Sequence, residues 1–234
     1  ANISETVMYF ENHSTAIQSK MSYLDVKNLA QTGEGKFLEF KRTIPSAEKI
    51  ARELASFANT KGGTLLVGVD DDKTLVGVEG YHEEEFLLNK AAHELCEPSV
   101  PITIEVVHFG ERDLLVIRVA EAEKKPIFVL NSKGKTVYVR KRDQNKVASK
   151  ELVAVMRNRH SNDGVTFEYG PNEQKLFRYL NEYGEISVEK YSHLIDSTAG
   201  TASTILVNLV SAGILNLFTK DNIDYFTFSQ KCES

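Results

Sequence analysis

The 234-residue chain has no tryptophan, and its two cysteines, Cys96 and Cys232, stand far apart in sequence. Two such thiols make neither a disulfide framework nor a metal knuckle, so reduced thiols are expected. No apolar stretch approaches the roughly 18–20 residues that a membrane-spanning helix needs. The first residues, with Glu5 and Glu11 among polar neighbours, lack the apolar core of a signal peptide. A cytoplasmic protein without membrane partners is the expectation. Several catalytic signatures are missing too. Gly63 and Gly68 have the spacing of the glycines in a phosphate-binding loop, but Val69-Asp70 stands where Lys-Ser/Thr is required, and the residues between them are apolar. No Gly-x-Gly-x-x-Gly occurs, and "HEEEF" and "HELCE" are not His-Glu-x-x-His. ATPase and zinc-protease readings therefore find no support.

The formal net charge is -5, which argues against a general polyanion binder, but the charge is unevenly spread. Residues 34–159 hold 21 Lys/Arg against 20 Asp/Glu, whereas residues 170–234 hold 5 against 8. Residues 133–150 contain seven bases, Lys133, Lys135, Arg140, Lys141, Arg142, Lys146 and Lys150, against Asp143 alone. Such a cluster neutralises phosphates in a salt-sensitive, sequence-independent way, or it is a solvated strand end.

Hydrophobic periodicity divides the chain. Helices are expected over about residues 4–19 and 23–31, forming an N-terminal arm over 1–33. "KFLEFK" alternates Leu38 and Phe40 with Glu39 and Lys41, the pattern of a half-buried strand. Ser46 is a credible N-cap for a helix over 46–59, whose apolar stripe is Ile50, Leu54, Phe57 and Ala58. "TLLVGV" then predicts a buried strand, "DDDK" a hairpin turn and "TLVGVEG" its partner strand. A helix over 82–95 precedes the strands "ITIEVVHF", "DLLVIRVA", "PIFVL" and "TVYVRK", and a helix over about 149–158 ends this domain, 34–158. A linker is expected at 159–170. Three short helical patterns (172–183, 187–195, 199–212) and a hairpin about Asp221-Asn222 then predict a winged helix-turn-helix domain over 171–230. The fold class expected is α+β, a mixed-sheet domain followed by this small domain.

The stretches "EGKFLEFKR", "ELASFANTKGGTLLVGVDDDKTLVGVEG", "KPIFV" and "VYVRKRDQNKVASKELVAVM" resemble the Schlafen AlbA-like DNA-binding domain, formerly called a divergent AAA domain, over roughly residues 34–157. The resemblance implies binding of DNA or RNA, with Lys41, Asn59, Lys61, Arg140, Lys141, Arg142 and Lys146 as candidate contacts. For Asn59 and Lys61 a helix-ending turn is the alternative role. In animal Schlafen proteins it also implies RNA cleavage by three acids, which map onto Glu34, Glu39 and Asp70. Hard carboxylate oxygens of this kind suit Mg²⁺ or Mn²⁺, whereas binding alone needs no cofactor.

The third helix of the winged-helix segment leads with Thr198, Thr201, Ser203 and Thr204 and has no Lys or Arg. That composition favours dimerisation or partner docking over base reading. The leading expectation is an oligomeric transcriptional regulator that contacts the phosphate backbone. A metal-dependent endoribonuclease and an oligomeric scaffold are the alternatives.

Overall fold

Alternation at residues 36–41 is realised in the computed structural model, which describes residues 14–161 and 164–230 and separates into two units, Ala1–Val147 and Ala148–Ser234. The first unit runs β1 (Ile17–Gln18), α1 (Tyr23–Gln31), β2 (Leu38–Lys41), α2 (Ala47–Asn59), β3 (Gly63–Val67), α3 (His82–Glu94), β4 (Cys96–Glu97), β5 (Ile102–Phe109), β6 (Arg112–Val119), β7 (Phe128–Asn131), β8 (Gly134–Thr136), β9 (Tyr138–Lys141) and β10 (Gln144–Val147). A five-stranded mixed sheet has the order β1-β5-β6-β3-β2, with β2 parallel to β3 at one edge and β1 parallel to β5 at the other. β4, β7 and β8 form a second small sheet, and β9 and β10 form a separate antiparallel hairpin.

The period-2 pattern of the strands sorts the side chains of the sheet between its two faces. Leu38 and Phe40 join Leu66, Leu114 and Val116 against Val26 and Ala30 of α1. On the opposite face Leu65, Val67 and Ile117 meet Ile50, Leu54 and Phe57 of α2 and Leu88 of α3. Burying each such large side chain contributes about 1.5–3 kcal/mol. Cys96 is buried with them, and that burial pushes its thiol up to about 12, far from a reactive thiolate.

α2 starts where Ser46 Oγ accepts the Lys49 N–H at 3.2 Å, and it ends in a joint that leaves little room. Gly62 takes φ +73°, and a Cβ there would lie 2.6 Å from the Val119 carbonyl. A Cβ on Gly63 would fall 2.3 Å from the Phe57 ring, so the two glycines bring β3 against the helix just left behind. Asn59 is 3% exposed and acts inside this joint. Its Nδ2 donates to the Ile127 and Tyr138 carbonyls, each at 2.9 Å, and its Oδ1 accepts the Ile127 N–H at 2.7 Å.

Three expectations are corrected. The helix placed at 4–19 lies largely outside the described residues, and its described part contains the short strand β1. Ser14, Thr15 and Ala16 lead into that strand as donors to the Glu85 carboxylate, which therefore holds the segment extended. The strand expected at "TLVGVEG" is reduced to the isolated bridges Val69–Leu75 and Val78–Asp113. Gly68 and Gly77 cross there so closely that a Cβ on Gly68 would lie 2.8 Å from the Gly77 Cα, an approach that a regular ladder does not make. Third, the helix assigned to the end of the first domain belongs to the second unit.

That helix is α4 (Lys150–Arg159), followed by α5 (Pro171–Tyr183), β11 (Ile186–Ser187), α6 (Val188–Leu194), α7 (Ala199–Ser211), β12 (Leu215–Lys220) and β13 (Ile223–Phe228). Val155 of α4 enters a core of Leu176, Leu180, Tyr191, Leu206, Leu209 and Phe226, and Ser203 of α7 donates to Glu151 at 3.0 Å. The three strands order as β11-β13-β12, and Asp221 and Asn222, with φ 51° and 61°, make the tight turn between the last two. No helix among the described residues is long and apolar enough to cross a membrane.

Asn59→Ala strands the buried Ile127 N–H and relieves two carbonyls of their donor, so a loss of about 1–3 kcal/mol is expected in urea unfolding followed by circular dichroism. Lys61→Ala, at an exposed position, should stay within about 0.5 kcal/mol of the parent.

Candidate functional site

Three elements of the first unit enclose a groove of about 500 Å³. β2 contributes Glu39 and Lys41, the polar face of α2 contributes Lys49, Arg52 and Glu53, and the β9–β10 hairpin contributes Tyr138, Arg140, Asp143, Gln144 and Asn145. Pro45 and Ile50 supply apolar lining.

Arg140 forms the floor, with its side chain only 1% exposed. Its Nε donates to the Gly35 carbonyl at 3.1 Å, and one terminal nitrogen reaches Glu39 Oε2 at 2.6 Å together with the Gly35 and Leu38 carbonyls. The other terminal nitrogen reaches Glu53 Oε2 at 3.3 Å and Asn145 Oδ1 at 3.2 Å. The guanidinium also lies over the Phe57 ring, 4.9 Å from its centroid. A buried charge is costly unless paired and hydrogen-bonded throughout, and every face of this one is engaged. The Arg140 backbone N–H donates to Thr60 Oγ1 at 2.8 Å, so the Asn59-Thr60 pair holds β9 by side-chain bonds on the side away from β10.

Lys41 lies across from this arginine. It is ion-paired to Glu39 and stands 3.7 Å from Glu53. Burial pulls the ammonium pKa down, but the hydrogen bond to Glu39 and the charges of Glu53, Glu39 and Glu34 outweigh it and leave the pKa above its ordinary value. Glu34 accepts the Phe40 N–H at 3.0 Å, on the edge of β2 that no strand pairs among the described residues. Partial burial raises its carboxyl above the usual range; the Phe40 bond opposes the rise and the nearby Glu39 charge adds to it.

The three acids expected to act together are thus divided. Glu34 and Glu39 are neighbours, but Asp70 is paired with Arg42 at 3.1 Å, and Glu39 is held by Arg140 and Lys41. Among the described residues no group of three or more His, Cys, Asp or Glu is arranged to hold a metal ion. Of the oxygens such a cation would use, both of Glu39 and one of Asp70 are bonded to cations of the protein, and one of Glu34 accepts a backbone N–H.

The expected phosphate contacts are divided as well. Lys141, Arg142 and Lys146 are exposed on the hairpin, and Lys41 lines the groove. Arg140 and Asn59 are corrected to interior roles, because burial and saturated hydrogen bonding remove them from the surface. Lys61 stands by Glu121 at 3.4 Å and does not line the groove. Sequence reasoning missed Lys49, Arg52, Glu53 and Tyr138. The first three were available as the polar stripe opposite Ile50 and Leu54 on an amphipathic helix.

Every residue lining the groove falls within one stretch of known type. Residues 34–149 match the Schlafen, AlbA_2 family model. The Schlafen AlbA_2 stretch accordingly includes both the Asn59-Thr60 joint and the hairpin that it secures. Two solved structures are similar at lower levels. The N-terminal domain of a protein from Nitrosomonas europaea, related to the ATP-dependent DNA helicase RecG, is 23% identical, with a TM-score of 0.42, covering 56% of this chain and 96% of that one. A protein from Corynebacterium diphtheriae is 19% identical, with a TM-score of 0.38, covering 65% of this chain and 30% of that one.

Arg140→Met leaves Glu39 buried beside an apolar side chain, so a loss of about 3–5 kcal/mol is expected in urea unfolding. Arg142→Ala, at the exposed hairpin turn, should change stability by no more than about 0.5 kcal/mol.

Proposed function

We propose that the first unit binds DNA or RNA through the phosphate backbone and that the chain serves as a regulator of transcription. The observation that carries this reading is the sorting of charge across the β9–β10 hairpin. Arg140 and Asn145 are register partners and turn inward, whereas Lys141 and Lys146, on positions of opposite alternation, are exposed together with Arg142 at the turn. Lys49 and Arg52 add two exposed cations on the other side of the groove. A cationic rim over an internally neutralised floor attracts a polyanion even though the whole chain is acidic.

The test is the salt dependence of binding by the full chain, measured by fluorescence anisotropy with a labelled oligonucleotide. Each phosphate neutralised on duplex DNA contributes about -0.9 to the slope of log affinity against log salt. The triple variant Lys141→Ala, Arg142→Ala, Lys146→Ala should bind more weakly and with a slope shallower by about 2–3. An unchanged slope would remove the hairpin from the interface.

The second unit supports a winged-helix reading by its order of three helices and a β-hairpin, α5, α6, α7, β12 and β13. Its role in this proposal is self-association, because Thr198, Thr201 and Thr204 occupy the exposed leading turn of α7 without a base, and α4 packs along the same helix. Light scattering of the full chain should give the mass of a dimer or a larger assembly; a monomer at every concentration would sink this part. The nuclease alternative has less support, since Asp70 is taken up by Arg42 and only Glu34 and Glu39 stand together.

A further inference from the structure

Resting on the nucleic-acid reading above, we infer that the groove takes an unstacked base of a single strand, with the phosphates left on the rim. Charge at the depth of the groove decides the orientation, since Lys49 and Arg52, the other two cations of the lining, are exposed at the rim. Glu39 and Glu53 line it at depth and Asp143 lines it near the hairpin turn, while the cations closest to the first two, Arg140 and Lys41, are already bonded to them. A phosphate pushed into that space would meet carboxylates whose counter-charges are spent. A base carries no formal charge, and its N–H groups find acceptors there.

The lining also suits a base in shape and chemistry. Tyr138 is half-buried, and the exposed Arg52 guanidinium lies over its ring, 5.8 Å from the centroid. An aromatic ring with a guanidinium beside it offers the two kinds of surface on which splayed-out bases stack. A volume of about 500 Å³ falls in the range of small-ligand pockets and leaves no room for a double helix. Lys141, Arg142 and Lys146, exposed on the hairpin, are then positioned for the flanking phosphates. A duplex can use that rim alone, whereas a single strand can use rim and groove together.

The experiment compares, with the full chain at one fixed salt concentration, a labelled single strand and the blunt duplex of the same sequence. The single strand carries 2-aminopurine, whose fluorescence changes when it leaves its stacked neighbours. The single strand is expected to bind at least about 10-fold more tightly, with a fluorescence change on binding. Tyr138→Ala should weaken single-strand binding about 5- to 100-fold while leaving duplex binding within about 2-fold, whereas Arg52→Ala, which also removes a rim cation, should weaken both forms and the single strand more. Tyr138→Phe, which keeps the ring, should bind as the parent does.

Equal affinity for the two forms, no fluorescence change, or the same loss for both forms in Tyr138→Ala would overturn the base-in-groove inference and leave the phosphate-binding reading standing. Failure to bind either form would overturn both.

Discussion

Every element around the groove depends on one buried guanidinium. β2 belongs to the five-stranded sheet, α2 covers that sheet, and among the described residues the β9–β10 hairpin pairs only with itself. Arg140 joins all three, through carbonyls at Gly35 and Leu38, carboxylates at Glu39 and Glu53, and the amide of Asn145. Planar geometry with five donors suits arginine to this task in a way that lysine, with a compact ammonium, is not. Replacing the whole set, Arg140 together with Glu39 and Glu53, by apolar side chains of the same shape would cost little, because desolvation offsets most of the attraction. What the hub supplies is direction. Each bond fixes the hairpin at a particular angle to the helix, and the groove is the space that those angles leave.

Backbone bonding explains why the hub needs a joint beside it. A strand outside a large sheet exposes amides and carbonyls that have to find partners. Here the last residues of α2 provide them: Asn59 bonds the Tyr138 carbonyl and Thr60 bonds the Arg140 amide. Gly62 and Gly63 then let the chain reverse against Phe57 and Val119 and enter β3. The run Asn59 to Gly63 therefore sets the positions of β3 and β9 at once.

Much of this was legible in the sequence, for reasons that also explain the rest. Alternation assigned Leu38 and Phe40 to one face and Glu39 and Lys41 to the other, because a period of two admits only that split. The stripe of Ile50, Leu54 and Phe57, with Ser46 ahead of it, located α2 within a residue. Arg140 was misjudged because a run of three bases reads as a surface patch. The same alternation rule, applied to Arg140-Lys141-Arg142 in a strand, requires neighbours to point opposite ways, so a buried member was implied. Asp70 went astray for a different cause. Sequence order brought it near β2, but its partner is Arg42, an exposed neighbour whose attraction no periodicity reports. α4 was assigned to the wrong unit because an amphipathic helix shows that it packs and not against what.

In the proposed reading net charge is a weak guide to polyanion binding, and the groove gives the reason. Coulomb attraction between protein and polyanion depends on charges within about 10 Å at moderate salt, so distant acids are screened while local ones are not. Glu39 and Glu53 sit inside that range, yet they are matched at contact distance by Arg140 and Lys41 and present a much smaller field than their number suggests. The exposed bases of the hairpin belong to the rim, where a phosphate can meet them without entering the groove. Attraction at the rim and neutralisation at depth are therefore compatible with a chain of net charge -5. In the proposed reading they also assign different parts of a nucleotide to different places, because the carboxylate-lined depth accepts N–H donors and is least able to receive another anion.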